Sequence, residues 1–433
     1  MTIRSGHARF FLVGLLLTLL ASCATDRMSD RVAADVPLWL HFRNGAIHVL
    51  FRRELTASSR TVGEAYERGR AEIDPVHSRV FVGSSDQGLY ALRATDGSSI
   101  WRFETLGMVQ SEPTYDKELD VVYFGSNDGA LYAVRAGDGG LLWRFDSGAE
   151  IARKAVLSGD TLVVANAGDQ LFALNRRTGK TVWATHRAPA LGMEIAGYAG
   201  PCVASDVVYM AYSDGHVEAY NVADGSEKWS PIDLSAEAEG ISSSTGPKYL
   251  DVDTTPVVAT VELPSGPTSV LFVASYAGGV VAVDANKGGR VWSNEKVTGV
   301  TDLMMWSQPA HQPSSFGRYA GGPTVPAQHI LFASSASTGL HAIDPTNGAI
   351  LWRNPVPDGG ITAPVQIAGA ILVGTSRYGM FLIAVDSGKT IDGFHVGTGF
   401  SQTPAAYGDR AYALTNGGVF VGMSIYPRVP YAN

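Results

Sequence analysis

Six tryptophans cut this chain into copies of one short unit, and that repetition limits what it can fold into. Trp101, Trp143, Trp183, Trp229, Trp292 and Trp352 each follow a glycine by four residues: Gly97, Gly139, Gly179, Gly225, Gly288 and Gly348. Each glycine follows an alanine by six: Ala91, Ala133, Ala173, Ala219, Ala282 and Ala342. Successive tryptophans stand 42, 40, 46, 63 and 60 residues apart. A seventh copy keeps Gly388 but carries Asp392 where the tryptophan belongs. A period near 40 residues holding several short apolar runs is the mark of a propeller blade.

The best copy, Val80 to Trp101, gives the physical reading. Alternating Val, Phe, Tyr and Leu suit pleated strands. Asp-Gly and Asn-Gly pairs supply the positive φ that tight hairpins require. The alanine is expected where neighbouring sheets approach closely, and the tryptophan over the seam between blades. At the N-terminal side, Ile47 to Leu55 resembles the strand around each repeat tryptophan but precedes the first full copy. At the other end, Ala411 to Met423 has early blade strands and no closing one. The halves complement each other, and joining them removes the exposed sheet edges. The expectation is an all-β fold, a single eight-bladed propeller of four-stranded blades closed by an N-terminal strand.

Composition agrees. The 433 residues are 45% hydrophobic and 17% charged, with 49 glycines. That suits a turn-rich chain with a large core. The formal net charge of −8 argues against nucleic-acid binding, which needs a basic footprint.

Residues 1–22 read as an export signal. Arg4, His7 and Arg9 precede the apolar run Phe10 to Leu20, which is too short to span a bilayer. Leu20-Ala21-Ser22-Cys23 matches the lipobox of bacterial lipoproteins, so Cys23 is the expected lipidation site. Ala24 rather than Asp in the next position favours the outer membrane, facing the periplasm. Residues 23–46 then form a tether, and 47–433 the propeller. With Cys23 lipidated, Cys202 has no partner and is expected to be a small buried residue. Two stretches exceed the period. Ser230 to Thr254 is a long polar connection before the fifth blade. Gly299 to Gln328, containing Met304-Met305-Trp306, reads as an insertion in the sixth. Extra length on a repeat scaffold is expected on one face, often the binding face.

No enzyme signature carries weight. There is no Gly-rich loop leading a helix and no histidine pair at zinc spacing with a third ligand nearby. The repeat is similar to the pyrroloquinoline-quinone-type propeller repeat. In quinoprotein alcohol dehydrogenases two adjacent cysteines stack over the quinone, and this chain has no adjacent cysteines. No catalytic, cofactor or metal residue is therefore assigned.

Asp251-Val252-Asp253-Thr254-Thr255-Pro256-Val257-Val258 resembles a segment of the BamB family, the propeller lipoproteins of the outer-membrane β-barrel assembly machine. Gly399 to Pro404 with Ala411 to Gly422 resembles the family's last blade, and Met193 to Pro201 its partner loop. The resemblance implies a non-enzymatic scaffold that docks on BamA and assists insertion of outer-membrane proteins, one copy within a hetero-complex. It implies partner contacts at Met193 and Ile195, where the family has spaced leucines, and at Asp251 and Asp253. Ala196 stands where the family has an arginine, so a bidentate hydrogen-bonding group is lost. The alternatives are a lipid-anchored propeller with another envelope partner or ligand, and a quinone-dependent dehydrogenase.

Overall fold

The computed structural model describes residues 45–55, 67–188, 199–234, 252, 254–276, 278–310, 327–356, 360–396 and 398–426. These form eight four-stranded antiparallel sheets. Seven sheets are sequential meanders. The first runs Ala71–Asp74, Arg79–Gly83, Gly88–Arg93, Ser99–Glu104 from the innermost strand outwards. The eighth takes three strands from the C-terminal end, Ala405–Tyr407, Arg410–Leu414 and Val419–Ile425, and its outermost strand, Ile47–Glu54, from the other end. The expected ring, closed by an N-terminal strand, is what forms.

Burial explains why the second strands read as unbroken apolar runs. Arg79–Gly83 and Val121–Gly125 are buried at every residue, because a neighbouring blade covers each face. The outermost strands alternate between exposed and half-buried, as in Leu141–Asp146. They have the next blade on one face only.

The repeat residues meet at the seams. Each alanine pairs directly across from its own tryptophan, as Ala91 does with Trp101 and Ala133 with Trp143, and the ladder bulges immediately after. Each indole then lies over the repeat glycine of the following blade. A Cβ on Gly139 would stand 2.8 Å from the Trp101 ring, and one on Gly179 2.6 Å from that of Trp143. Gly139 also has φ +73°, which disfavours any L side chain. Both constraints point to the same residue type. Each indole N–H donates to a carbonyl across the seam: Trp101 to Ala136 at 3.0 Å, Trp183 to Val222 at 2.7 Å, Trp352 to Val385 at 2.8 Å.

Two seams lack the tryptophan, and each substitutes differently. Between blades eight and one, Phe51 fills the indole's place, and a Cβ on Gly97 would stand 2.5 Å from its ring. The missing N–H donor is replaced by the Tyr412 hydroxyl, which donates to the Ala94 carbonyl at 3.0 Å. Between blades seven and eight, Asp392 is buried, and its Oδ2 accepts the backbone N–H groups of Ala46 at 2.8 Å and Ile47 at 2.9 Å. The irregular residue of the seventh repeat thus holds the start of the closing strand.

The sixth blade corrects one expectation. Val300–Gln308 is the blade's own innermost strand, pairing with Gln328–Ser335, so Met304-Met305-Trp306 belongs to an elongated hairpin and not to an insertion. Trp306 is buried in it. Residues 311–326 lie outside the described part. The two long stretches also leave on opposite faces. In a meander ring, connections between blades and second-to-third-strand turns share one face, and the other hairpin turns share the opposite one. The stretch after Asp233 is a connection, and the extension after Gln308 is a hairpin turn.

Asp392→Ala leaves two buried N–H groups without an acceptor, which costs about 1–3 kcal/mol. Thermal unfolding followed by circular dichroism is expected to show a lower midpoint than for an exposed control, Asp224→Ala. An unchanged midpoint would mean that the ring is not held at this point.

Candidate functional site

The connection face is built by one rule. In each of the first four blades the chain, after the outermost strand, bonds to its own blade's second-to-third-strand turn, and in the first, second and fourth it bonds there again on its way to the next blade. Thr105 N–H donates to the Gln87 carbonyl (2.8 Å), Ser147 to Gly129 (2.9 Å), Arg187 to Asp169 (3.1 Å) and Leu234 to Gly215 (3.0 Å). On the return, Val109 donates to Ser84 (3.0 Å), Ile151 to Ser126 (3.2 Å) and Val252 to Tyr212 (3.5 Å). The long stretch after the fourth blade therefore leaves and re-enters at ordinary positions, Leu234 and Val252, both buried. Thr254 then exchanges two hydrogen bonds with Ala274, donating at 2.7 Å and accepting at 3.0 Å.

Met193, Ile195, Ala196, Asp251 and Asp253 all lie outside the described residues, as does Cys23. What the structure describes is their framing. The strand ends at His186 and Cys202, and at Asp233 and Val257, flank two connections that share one face. Val252, between the two aspartates, is fully buried.

One residue on this face escaped the sequence reading. At the exit position Thr105 and Ser147 use their hydroxyls to close a local turn, onto Gly107 at 2.7 Å and Ala149 at 2.8 Å. The third blade places Arg187 there instead. Its guanidinium crosses the seam and donates to Asp214 and Glu218 of the fourth blade. Glu218 also accepts from the Tyr220 hydroxyl, which lies 3.3 Å from that of Tyr212. Burial pushes the Glu218 carboxyl above its usual range, and Arg187 only partly offsets this. The root of the first connection is thereby tied to the turn that roots the second.

The axis is charged. Arg70, Glu112 and Lys154 occupy one repeat position in blades one, two and three, each 42 residues from the next. The Lys154 ammonium donates to Glu112 at 2.6 Å and to Glu72 at 2.8 Å. Arg70 donates to Gln402 at 2.6 Å and lies 3.5 Å from Glu112. The two glutamates keep about a quarter of their side-chain surface open while protein surrounds them. Burial opposes the charge of Glu112, yet Lys154 and Arg70 outweigh it and hold its carboxyl below the usual range. For Glu72 burial wins, and its carboxyl is raised. Burial also raises Asp302, which occupies the equivalent position in blade six. The 42-residue spacing was a legible signal for this ring, had charges been aligned as the tryptophans were.

Asp74, His77 and Asp120 bring three potential metal ligands within 4.8 Å of one another on the hairpin face. Arg79 stands among them: its Nε donates to Asp74 at 2.7 Å, and its Nη2 donates to Asp120 and lies 3.0 Å from His77 Nδ1. A guanidinium already fills the place of a cation, so the cluster is an ion-pair network. Cys202 is free and half-buried, and burial pushes its thiol up to about 11, so it is no nucleophile.

The sequence profile of the family described as outer membrane protein assembly factor BamB matches residues 85–308 and 301–425. The chain is 22% identical over 243 residues to BamB of Legionella pneumophila, covering 56% of this chain and 54% of that protein. It is 24% identical over 340 residues to BamB of Yersinia pestis, covering 77% and 66%. It therefore spans less than two thirds of either relative. It is also 23% identical over 347 residues to tetrathionate hydrolase of Acidithiobacillus ferrooxidans, covering 77% and 54%. Among solved structures, BamB of Moraxella catarrhalis superposes with a TM-score of 0.63 at 20% identity, over 82% of this chain and 96% of that one. A quinohemoprotein alcohol dehydrogenase of Pseudomonas putida gives 0.63 at 14%, over 89% and 77%. At such identities the structural likeness shows the fold alone.

Lys154→Met strands two enclosed carboxylates. A cost of about 2 kcal/mol is expected at neutral pH, below that of a dry buried pair because both carboxylates stay partly open. The cost should shrink as pH falls and both glutamates protonate. Chemical denaturation at neutral and acidic pH checks this; a pH-independent loss would point to packing instead of charge.

Proposed function

Because the chain belongs to the BamB family of outer-membrane protein assembly factors, we propose that it is a scaffold of the β-barrel assembly machine, without catalytic activity of its own. In this reading it docks on BamA and assists insertion of outer-membrane proteins. The observation that carries the reading is the family match across both halves of the propeller. The framing of the two candidate partner segments by one face supports it. Met193 and Ile195 supply apolar anchors, Asp251 and Asp253 a polar rim, and Arg187 places a cation at the root of the first segment although Ala196 carries none. Anchors of this kind carry most of the affinity, and rim charges set orientation.

Anchoring follows from the same reading. Cys23 carries lipid, and residues 23–46 tether the propeller to the outer membrane from the periplasmic side. The described chain enters at Ala46, beside Tyr426, whose N–H donates to the Ala46 carbonyl at 2.8 Å. That entry, at the start of the closing strand, lies at the hairpin face.

The quinone-dependent reading fits poorly. The chain has no adjacent cysteines, and Arg70, Glu112, Lys154 and Glu72 spend their charges on one another at the axis. These residues do not make a quinone cradle.

Two experiments test the proposal. Met193→Asp with Ile195→Asp is expected to abolish capture of purified BamA by the purified chain without lowering the melting temperature. Asp251→Ala with Asp253→Ala should weaken capture by ~0.5–2 kcal/mol, as rim groups do. Binding unaffected by either pair would remove these segments from the interface. Cys23→Ala should move the protein from the membrane fraction to the soluble periplasm or leave it uncleaved, because lipid chains supply the affinity. Unchanged membrane fractionation would refute the anchor.

A further inference from the structure

The turn of blade four from Tyr212 to His216 fixes the second candidate docking segment at both ends. Leu234 donates its N–H to the Gly215 carbonyl at 3.0 Å where that segment leaves, and Val252 donates to the Tyr212 carbonyl at 3.5 Å where it returns. The first segment starts just beyond Arg187, whose own N–H donates to the Asp169 carbonyl of blade three at 3.1 Å. Two side-chain ties join these roots across the seam. The Ser213 hydroxyl donates to Asp169, and the Arg187 guanidinium donates through Nε to Asp214 and through Nη1 to Glu218. Asp214 lies inside the turn and also accepts the His216 N–H at 3.1 Å. Glu218 carries the tie inward: it accepts the Tyr220 hydroxyl, which stands 3.3 Å from that of Tyr212. Tyr212, Glu218 and Tyr220 are buried. The two preceding seams make the tie without a salt bridge. There Leu106 donates its backbone N–H to Asp128 at 3.2 Å, and the Asn166 amide donates to the Ser147 carbonyl at 3.0 Å.

We propose, resting on the docking reading above, that Arg187 is a positioning residue. It holds the roots of both segments in one fixed relation, so a partner gripping one segment meets the other already in place. A guanidinium whose planar fork meets two carboxylates at once fixes direction as well as distance. Segments with tied roots lose less freedom on binding, and the second contact forms at a higher effective concentration. Two short contacts then act as one. Arg187 need not touch the partner for this, because its guanidinium is engaged by Asp214 and Glu218.

Amide exchange of the free mature chain and its affinity for purified BamA test this together. Arg187→Met should speed exchange at Leu234 and Val252 and leave the roots at Thr105 and Ser147 unchanged. It should weaken BamA binding about tenfold, within the usual range of coupling between sites. With Asp251→Ala and Asp253→Ala already in place, the second segment has lost its hold, and the same substitution should weaken binding far less. A residue that merely stabilised the fold would weaken both backgrounds alike. Arg187→Lys keeps the charge without the fork; it should give a smaller loss in both readouts, and it serves if Arg187→Met does not fold. Unchanged exchange at Leu234 and Val252, or equal weakening in the two backgrounds, would overturn the proposal. Met193→Asp with Ile195→Asp, run alongside, separates two failures. If that pair abolishes binding while Arg187→Met leaves it unchanged, the positioning role is wrong. If that pair binds as the parent chain does, the docking reading is wrong and takes the positioning role with it.

Discussion

Everything in this molecule depends on a tryptophan lying over a glycine. No blade is stable alone, because its central strands are apolar on both faces. The seam supplies the missing cover. The indole needs a partner without Cβ, the glycine needs positive φ to turn the hairpin, and the indole N–H needs a carbonyl across the gap. One four-residue spacing meets all three needs, which is why it recurs while the intervening sequence drifts. The ring must also close, and there the pattern is deliberately broken. Phe51 with Tyr412 divides the indole's two roles between two side chains. Asp392 abandons the aromatic role and fixes the incoming strand by its backbone.

A rigid ring of this kind gives function two places to act. The connection face holds long excursions on fixed roots, so Leu234 and Val252 keep ordinary blade positions despite the length between them. Arg187 links two such roots across a seam, at the position where the first and second blades use a small hydroxyl residue. The axis offers a partly enclosed, charged environment, in which three blades set alternating charges at one repeat position. Membership of the BamB family directs attention to the first place.

The fold was legible because its determinants are local and periodic. Trp, Gly and Ala announce six of the eight blades, and Asp392 stood out as an exception before its role was visible. The elongated hairpin of the sixth blade was misread because Met304, Met305 and Trp306 break the repeat length without breaking strand character. Length alone does not tell a connection from a hairpin, so the two long stretches were not separable by face. The axial ring was missed for another reason. Arg70, Glu112 and Lys154 are unlike in charge, and a search for similar residues passes over a pattern built from opposites. Arg187 gave no signal, because its partners lie 27 and 31 residues away in the next blade. Met193, Ile195, Asp251 and Asp253, proposed for docking, were reached through family resemblance, and they lie outside the described residues.

In the proposed function, BamA is engaged through the connection face between the third, fourth and fifth blades. Hydrogen–deuterium exchange of the mature chain, alone and with purified BamA, addresses it directly. The account predicts slowed exchange in the segments between His186 and Cys202 and between Asp233 and Val257, with the hairpin of Val300–Gln308 and Gln328–Ser335 unchanged. Protection confined to that hairpin face, or no complex at concentrations that saturate other family members, would contradict it.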